Sequence, residues 1–365
     1  MASVTKGFEK RDVLLVAAAA TLVFGYMGIS HFSVESKAPW HEEKLAASEL
    51  AQRTMASVKA GKLARGMTID PAIDVNQTGM IGHRWSGMTT TLGVLEAKRT
   101  STNPDFAAVV VSLLKQCGAK NGDRVAINVS GSFPALSISA ISAVQTLKMR
   151  PVVIASLGAS MWGANDPAFT WLDVEQIVRE SQLIQTGMVA VSLGGAFDVG
   201  KDMDDEVRER LRAQIRAENL TFIDEPDFEK NLANRIALYL ADGLPACFIN
   251  VGGNLASGGT EIDSGALRPG LIRSFDDAGT RVGGLMNAFL ARKVPVIHLL
   301  NLKALAVSAR LPYDPVPMPT PGSSGIFRIT EYSRVYITVL LVLAFTLLAA
   351  YVRQGNRTNA AVVNS

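Results

Sequence analysis

Two uncharged apolar runs bracket this chain. Residues 13–30 and 335–352 carry no charged side chain, and each run is 18 residues long. At about 1.5 Å of rise per residue, each is near the lower length limit for a helix that crosses a bilayer. Between them, short β-branched runs alternate with stretches of helical periodicity. Residues 124–129 (RVAINV) predict a strand, and Ser130, Gly131 and Ser132 predict a tight turn. Pro134 suits the first turn of a helix whose apolar face is Leu136, Ile138, Ile141, Val144 and Leu147. A second strand over 152–155 follows and ends in the small-residue turn 156–160 (SLGAS). Strand, crossover helix and strand make a βαβ unit, with parallel strands buried on both faces.

The alternation continues to residue 310. Helices are expected over 40–60, 106–117, 171–185, 202–218, 226–241, 281–293 and 302–310, with strands over 188–193, 221–223, 246–251 and 294–300. This is the signature of a doubly wound α/β domain with a mostly parallel sheet. Residues 66–91 lack periodicity, and 311–325 are rich in proline and glycine. The expected organisation is a cytoplasmic N-terminus over 1–12, a transmembrane anchor over 13–30 and an extracytoplasmic α/β domain over 31–310. A tether over 311–334, a second transmembrane helix over 335–352 and a cytoplasmic tail over 353–365 complete it.

Charge sets the expected orientation. Lys6, Lys10 and Arg11 precede the first apolar run, and Arg353 and Arg357 follow the second. Basic residues mark the cytoplasmic flank, so both termini are expected inside and residues 31–334 outside, across the cytoplasmic membrane. Arg328 and Arg334 on the other flank run against that assignment. A cleaved signal peptide is the alternative for the first run, but no small-x-small cleavage site follows it. The region between the runs holds as many acids as bases. That balance argues against nucleic acid as a partner. Cys117 and Cys247 are the only cysteines; placed at a helix end and a strand start, they read as free thiols.

In parallel sheets, ligands bind outside the carboxyl ends of the strands. Ser130 and Ser132 stand on that edge and are candidate nucleophiles, although the turn is not a G-x-S-x-G elbow. The same serines suit plain helix capping. Ser156, Ser160, Gly252, Gly253 and Asn254 sit in turns at the same edge and are candidate ligand contacts. No G-x-G-x-x-G or P-loop pattern is present, so no cofactor is expected. Of the four histidines, His31 and His41 lie beside the first apolar run and His298 lies within a strand. His83 in the glycine-bearing loop is the most available base. No catalytic triad and no metal-ligand spacing can be assigned. Arg84, Lys98 and Arg99 are candidate anion-binding residues.

Residues 89–107 (TTTLGVLEAKRTSTNPDFA), 131–136 (GSFPAL) and 157–175 (LGASMWGANDPAFTWLDVE), taken with the paired apolar runs, resemble the poly-γ-glutamate system protein family. The resemblance extends over most of residues 10–350. It implies a membrane-anchored accessory factor of poly-γ-glutamate synthesis or export, a capsule or extracellular-polymer context, and the membrane synthase and export proteins as partners. It brings no settled set of catalytic residues. An extended polycarboxylate could be bound by loops carrying Arg and Lys at one sheet edge. The alternatives are a membrane-bound hydrolase or transferase cutting γ-glutamyl bonds with a serine nucleophile, and a scaffold contacting the synthase through its transmembrane helices.

Overall fold

The structure, a computed structural model, describes residues 10–29, 31–218, 220–259 and 266–363. The flank at Lys6, the rest of 1–9, Ser30 and the last two residues lie outside the described residues. Among the described residues two compact units form: the two ends of the chain, up to residue 38 and from residue 328 on, make one, and those between make the other.

In the first unit, the helices Lys10–Ile29 and Arg334–Val363 pack against each other, and Tyr336 Oη donates to the Gly25 carbonyl at 3.2 Å. Ser33–Lys37 and Arg328–Tyr332 pair as antiparallel strands. Within these helices, Asp12–Ile29 and Arg334–Gln354 are long and apolar enough to cross a membrane. Their side chains face outward, with Phe24 70% and Phe345 67% exposed. Apolar surface of that extent is stable in water only when something covers it.

The second unit is α/β. Its elements in chain order are α1 (His41–Ala64), α2 (Leu95–Ser101), α3 (Phe106–Cys117), β1 (Arg124–Ser130), α4 (Pro134–Thr146), β2 (Arg150–Ser156), α5 (Trp171–Ser181) and β3 (Met188–Ser192). They continue with α6 (Asp205–Ala217), β4 (Thr221–Ile223), α7 (Phe228–Leu240), β5 (Cys247–Val251), β6 (Gly270–Ile272), α8 (Gly284–Ala291), β7 (Val296–Leu299) and α9 (Leu302–Ser308). The strands form one sheet in the order β4-β3-β2-β1-β5-β7-β6. All neighbours are parallel except β6, which runs antiparallel to β7. The sequence pattern did not show β6, a three-residue edge strand. It equally missed α2, which is two turns long and lies among threonines and serines.

Side chains alternate between sheet faces. Val125, Ile127, Val129, Val153 and Ile249 pack beneath α1, α3 and α4 on one side, while Ala126, Ile154, Phe248 and Val296 pack beneath α7 and α8 on the other. The chain runs outward from β1 to β4 and then returns to β5 on the other side of β1. The junction of β1 and β5 is therefore the topological switch point, where open α/β sheets leave a crevice.

The segment 311–325, expected as a tether, is instead fixed to the α/β unit. Pro315 and Met318 bond the Asn76 amide, and Ser324 Oγ donates to Asp105 Oδ2 at 2.6 Å. A proline-rich stretch cannot pair in a sheet, yet the Pro315 carbonyl and the N–H groups of Asp314, Met318, Gly322 and Ser324 bond to side chains on the surface it crosses. Cys117 and Cys247 are both free.

Candidate functional site

A cavity of about 640 Å³ opens at the switch point. Ser130, at the end of β1, and Ser132 line it, with Asn254 from the turn after β5. Beyond β2 the chain leaves the main sheet, and Ala159–Ser160 pairs in parallel with Thr89–Thr91 over the carboxyl edge. This small ladder brings Ser160 to the cavity wall and sets the start of α2, whose Lys98 also lines the cavity. Two glycines let the serine turns meet. A Cβ on Gly131 would stand 2.5 Å from the Leu157 carbonyl oxygen, and one on Gly163 would stand 2.7 Å from that of Gly131 and 2.9 Å from Ser132 Cα. No side chain fits at those distances.

Lys98 is 2% exposed. Its Nζ donates to the Ser132 carbonyl oxygen and lies 2.6 Å from Ser160 Oγ and 3.7 Å from the centre of the Phe133 ring. It makes no ion pair among the described residues. Burial with no compensating carboxylate pushes its pKa well below the ordinary lysine value. Ser132 Oγ accepts from Ser130 Oγ at 3.0 Å and from the Ser160 backbone N–H at 3.0 Å, while the Ser132 N–H donates back to Ser130 Oγ at 3.2 Å. A hydroxyl held against a desolvated amine is the arrangement that activates a serine, since the neutral amine can take its proton.

The sequence offered Ser130 and Ser132 as candidate nucleophiles and Ser160 as a candidate ligand contact. In the structure the hydroxyl facing an amine is that of Ser160. Capping does not explain Ser130 and Ser132 either: Phe133 is the residue ahead of α4, and no side chain caps that helix. The expected basic trio does not converge. Residues adjacent on a helix project about 100° apart, so Lys98 turns into the cavity while Arg99 turns away. Arg99 Nε and Nη2 grip both carboxylate oxygens of Asp314 at 2.7 and 2.5 Å. Arg84 lines a different cavity, of about 570 Å³, with His83, Lys62 and Trp162. His83 Nε2 meets Asp166 Oδ2 there at 3.1 Å and is not available to any cavity serine as a base.

Behind the cavity lies a polar network that was hardly legible in the sequence. Strand register aligns Asn128 with Asn250, Asn250 with His298, and Ser156 with Ser192 across the sheet. Asn254 joins this row to the cavity: its Oδ1 accepts from Asn128 Nδ2 at 3.0 Å, and its Nδ2 donates to Ser156 Oγ at 3.2 Å. Ser192 Oγ then donates to Asp198 Oδ1 at 2.8 Å, and Asp198 Oδ2 pairs with Arg235 Nη2 at 2.5 Å. Ser156 is thus a network residue and does not line the cavity. His298 accepts its place in the strand by meeting Asn250 Nδ2 at 3.1 Å. Gly252, at φ +88°, turns the chain tightly after β5, and Gly253 lines the cavity with Asn254. Two signals pointed to the network: Asn128 and Asn250 interrupt apolar strands, and Arg235 falls on the face of α7 that carries Leu232 and Tyr239.

Among the described residues, no group of three His, Cys, Asp or Glu side chains stands together as metal ligands. Comparison with protein-family models, curated proteins and solved structures finds no match for this chain.

Proposed function

We propose that this chain is a membrane-held accessory enzyme of poly-γ-glutamate handling, a serine–lysine hydrolase or transferase of γ-glutamyl amide bonds outside the membrane. The observation that carries the chemistry is Lys98 Nζ, buried and without a carboxylate, 2.6 Å from Ser160 Oγ on a cavity wall. The substrate follows from the sequence resemblance. Support comes from where its three stretches go: 89–107, 131–136 and 157–175 bring Lys98, Ser132 and Ser160 to one cavity. The two terminal helices, with basic residues beyond them, support the membrane setting and the orientation.

In the proposed reaction Ser160 Oγ attacks the amide carbonyl carbon and its proton passes to neutral Lys98. The carbonyl π pair moves onto oxygen. As that pair returns, the C–N bond breaks, the Lys98 ammonium gives its proton to the leaving nitrogen, and an ester remains on Ser160. Lys98 next takes a proton from water, or from an acceptor amine, which attacks the ester carbonyl; as the bond from that carbon to Ser160 Oγ breaks, Lys98 returns the proton to Ser160 Oγ, and both groups are restored. The sum is hydrolysis, or transfer of the γ-glutamyl group.

Holding the polymer without cleavage is the second reading. It is favoured by Lys303, an exposed cation on the cavity wall that makes no ion pair among the described residues and can meet a substrate carboxylate. Full-length protein in lipid nanodiscs, incubated with poly-γ-glutamate, separates the two by chain length and retention. Shortening that disappears in both Ser160→Ala and Lys98→Met is the expected result. Retention with no shortening would leave the holding role, and neither would remove the polymer from consideration.

A further inference from the structure

We infer that Ser132 is a third catalytic group, the hydroxyl donor that meets the carbonyl oxygen as negative charge develops on it. This rests on the reading of Ser160 as nucleophile.

A serine hydroxyl has one proton to donate and two lone pairs that accept. At Ser132 both lone pairs are used: one takes the Ser130 hydroxyl proton and the other takes the Ser160 backbone N–H, each at 3.0 Å. The Ser132 proton has no acceptor among the described residues, yet the residue lines the cavity. Buried hydroxyls ordinarily find acceptors nearby. Here both hydrogen-bond partners of the oxygen donate to it, which leaves the proton for a ligand.

Its position is fixed from four sides. Lys98 Nζ holds the Ser132 carbonyl, the Ser132 N–H is held by Ser130 Oγ, and the Ser160 N–H holds the hydroxyl oxygen. Gly163 packs against the same residue, where an added Cβ would stand 2.9 Å from Ser132 Cα. The bond from Ser160 N–H also sets Ser132 Oγ beside the backbone of the residue that attacks, so both hydroxyls border one part of the cavity. A carbonyl carbon approached by Ser160 Oγ therefore finds the Ser132 proton near its oxygen. A donor already oriented there needs no reorganisation as the charge appears. Ser132 neither gains nor loses a proton in the cycle, and Ser130 orients it.

The test uses full-length protein in nanodiscs with p-nitrophenyl acetate and poly-γ-glutamate as substrates. Ser132→Ala should lower kcat by roughly 100- to 1000-fold, the loss typical of one oxyanion donor, with KM little changed. The rise of activity with pH should keep its midpoint, because Lys98 remains the base. Ser132→Cys preserves the packing and offers only a weak donor, so it should show the same loss even where the alanine variant folds poorly. Wild-type kcat in a folded Ser132 variant, with Ser160→Ala inactive, would overturn the donor role alone. Activity in Ser160→Ala equal to wild type would overturn the nucleophile, and the Ser132 donor with it.

Discussion

The α/β unit buries two basic side chains close to the same sheet edge, and they are treated in opposite ways. Arg235 is 0% exposed and Asp198 is 1% exposed, and the two are joined at 2.5 Å. Asn231 closes the arrangement, accepting from Arg235 Nε at 3.0 Å and donating to Asp198 Oδ2 at 3.0 Å. Lys98 is equally buried but meets only a carbonyl, a hydroxyl and an aromatic ring. A buried charge with a partner can remain charged; one without a partner gives up its proton. The first region therefore holds the backbone in place, whereas in the second burial lowers the pKa of the Lys98 amine and favours its neutral form. Phe197 and Asp198 both sit at positive φ, +56° and +63°. A strained turn of this kind persists only where its surroundings fix it, which fits the structural role of the pair.

Exchanging each base for methionine tests the difference and should give the largest effect. Arg235→Met leaves Asp198 charged and buried with only amide and hydroxyl partners, and should cost about 3–5 kcal/mol of stability. Lys98→Met loses two hydrogen bonds but also removes a desolvated amine, so its net change should stay within about 1 kcal/mol. Urea unfolding of the two variants measures both. A Lys98→Met loss as large as that of Arg235→Met would show that both lysine and arginine are structural. Loss of the proposed γ-glutamyl cleavage in Lys98→Met, with stability kept, would instead separate the two roles.

The same contrast explains what the sequence could show. Strand and helix order was legible because β1, β2 and β5 are nearly continuous apolar runs, and parallel strands buried on both faces must be so. The sheet edge was legible for the same reason, as were the serine and glycine turns on it. The pairing of Lys98 with Ser160 was not. It depends on a two-residue ladder between Ala159–Ser160 and Thr89–Thr91, too short to leave a periodic signal. The stretch TTTLGVLEAKRT also reads as polar surface, so Lys98 and Arg99 looked alike until the turn of α2 separated them. Arg235 and Asp198 lie 37 residues apart in sequence, and nothing local joins them.

pH sharpens the comparison further. The folded-state pKa of Lys98 lies well below its ordinary value of 10.5, owing to burial. Between that depressed value and 10.5, the unfolded chain carries a proton on Lys98 that the folded chain does not. Stability should therefore rise with pH across this window, and the wild-type slope should exceed that of Lys98→Met. The proposed cleavage should rise through the lower end of the same window as the amine loses its proton. Chemical denaturation at several pH values, with rates alongside, tests both. Equal slopes in wild type and Lys98→Met would mean that Lys98 is not held neutral by the fold.

The smallest effects are expected at the two arginines that the sequence grouped with Lys98. Arg99 and Asp314 are partly exposed, with side chains 16% and 19% accessible. Their two-pronged contact fixes the segment after α9 against α2, and Arg99→Ala should cost no more than about 1 kcal/mol. Arg84 is exposed on the other cavity and makes no ion pair among the described residues, so Arg84→Ala should change stability by less than about 0.5 kcal/mol. Neither faces Ser160, and neither variant should alter the rate of the proposed γ-glutamyl cleavage at saturating polymer. Salt distinguishes a long-range contribution from a direct one, because exposed charges are screened beyond roughly 10 Å at 0.1 M ionic strength. If either arginine steers the polyanion, its removal should raise KM at low salt and leave it unchanged at high salt. A fall in kcat that persists at high salt would instead place that arginine against the reacting polymer, and would restore the basic trio that the fold separates.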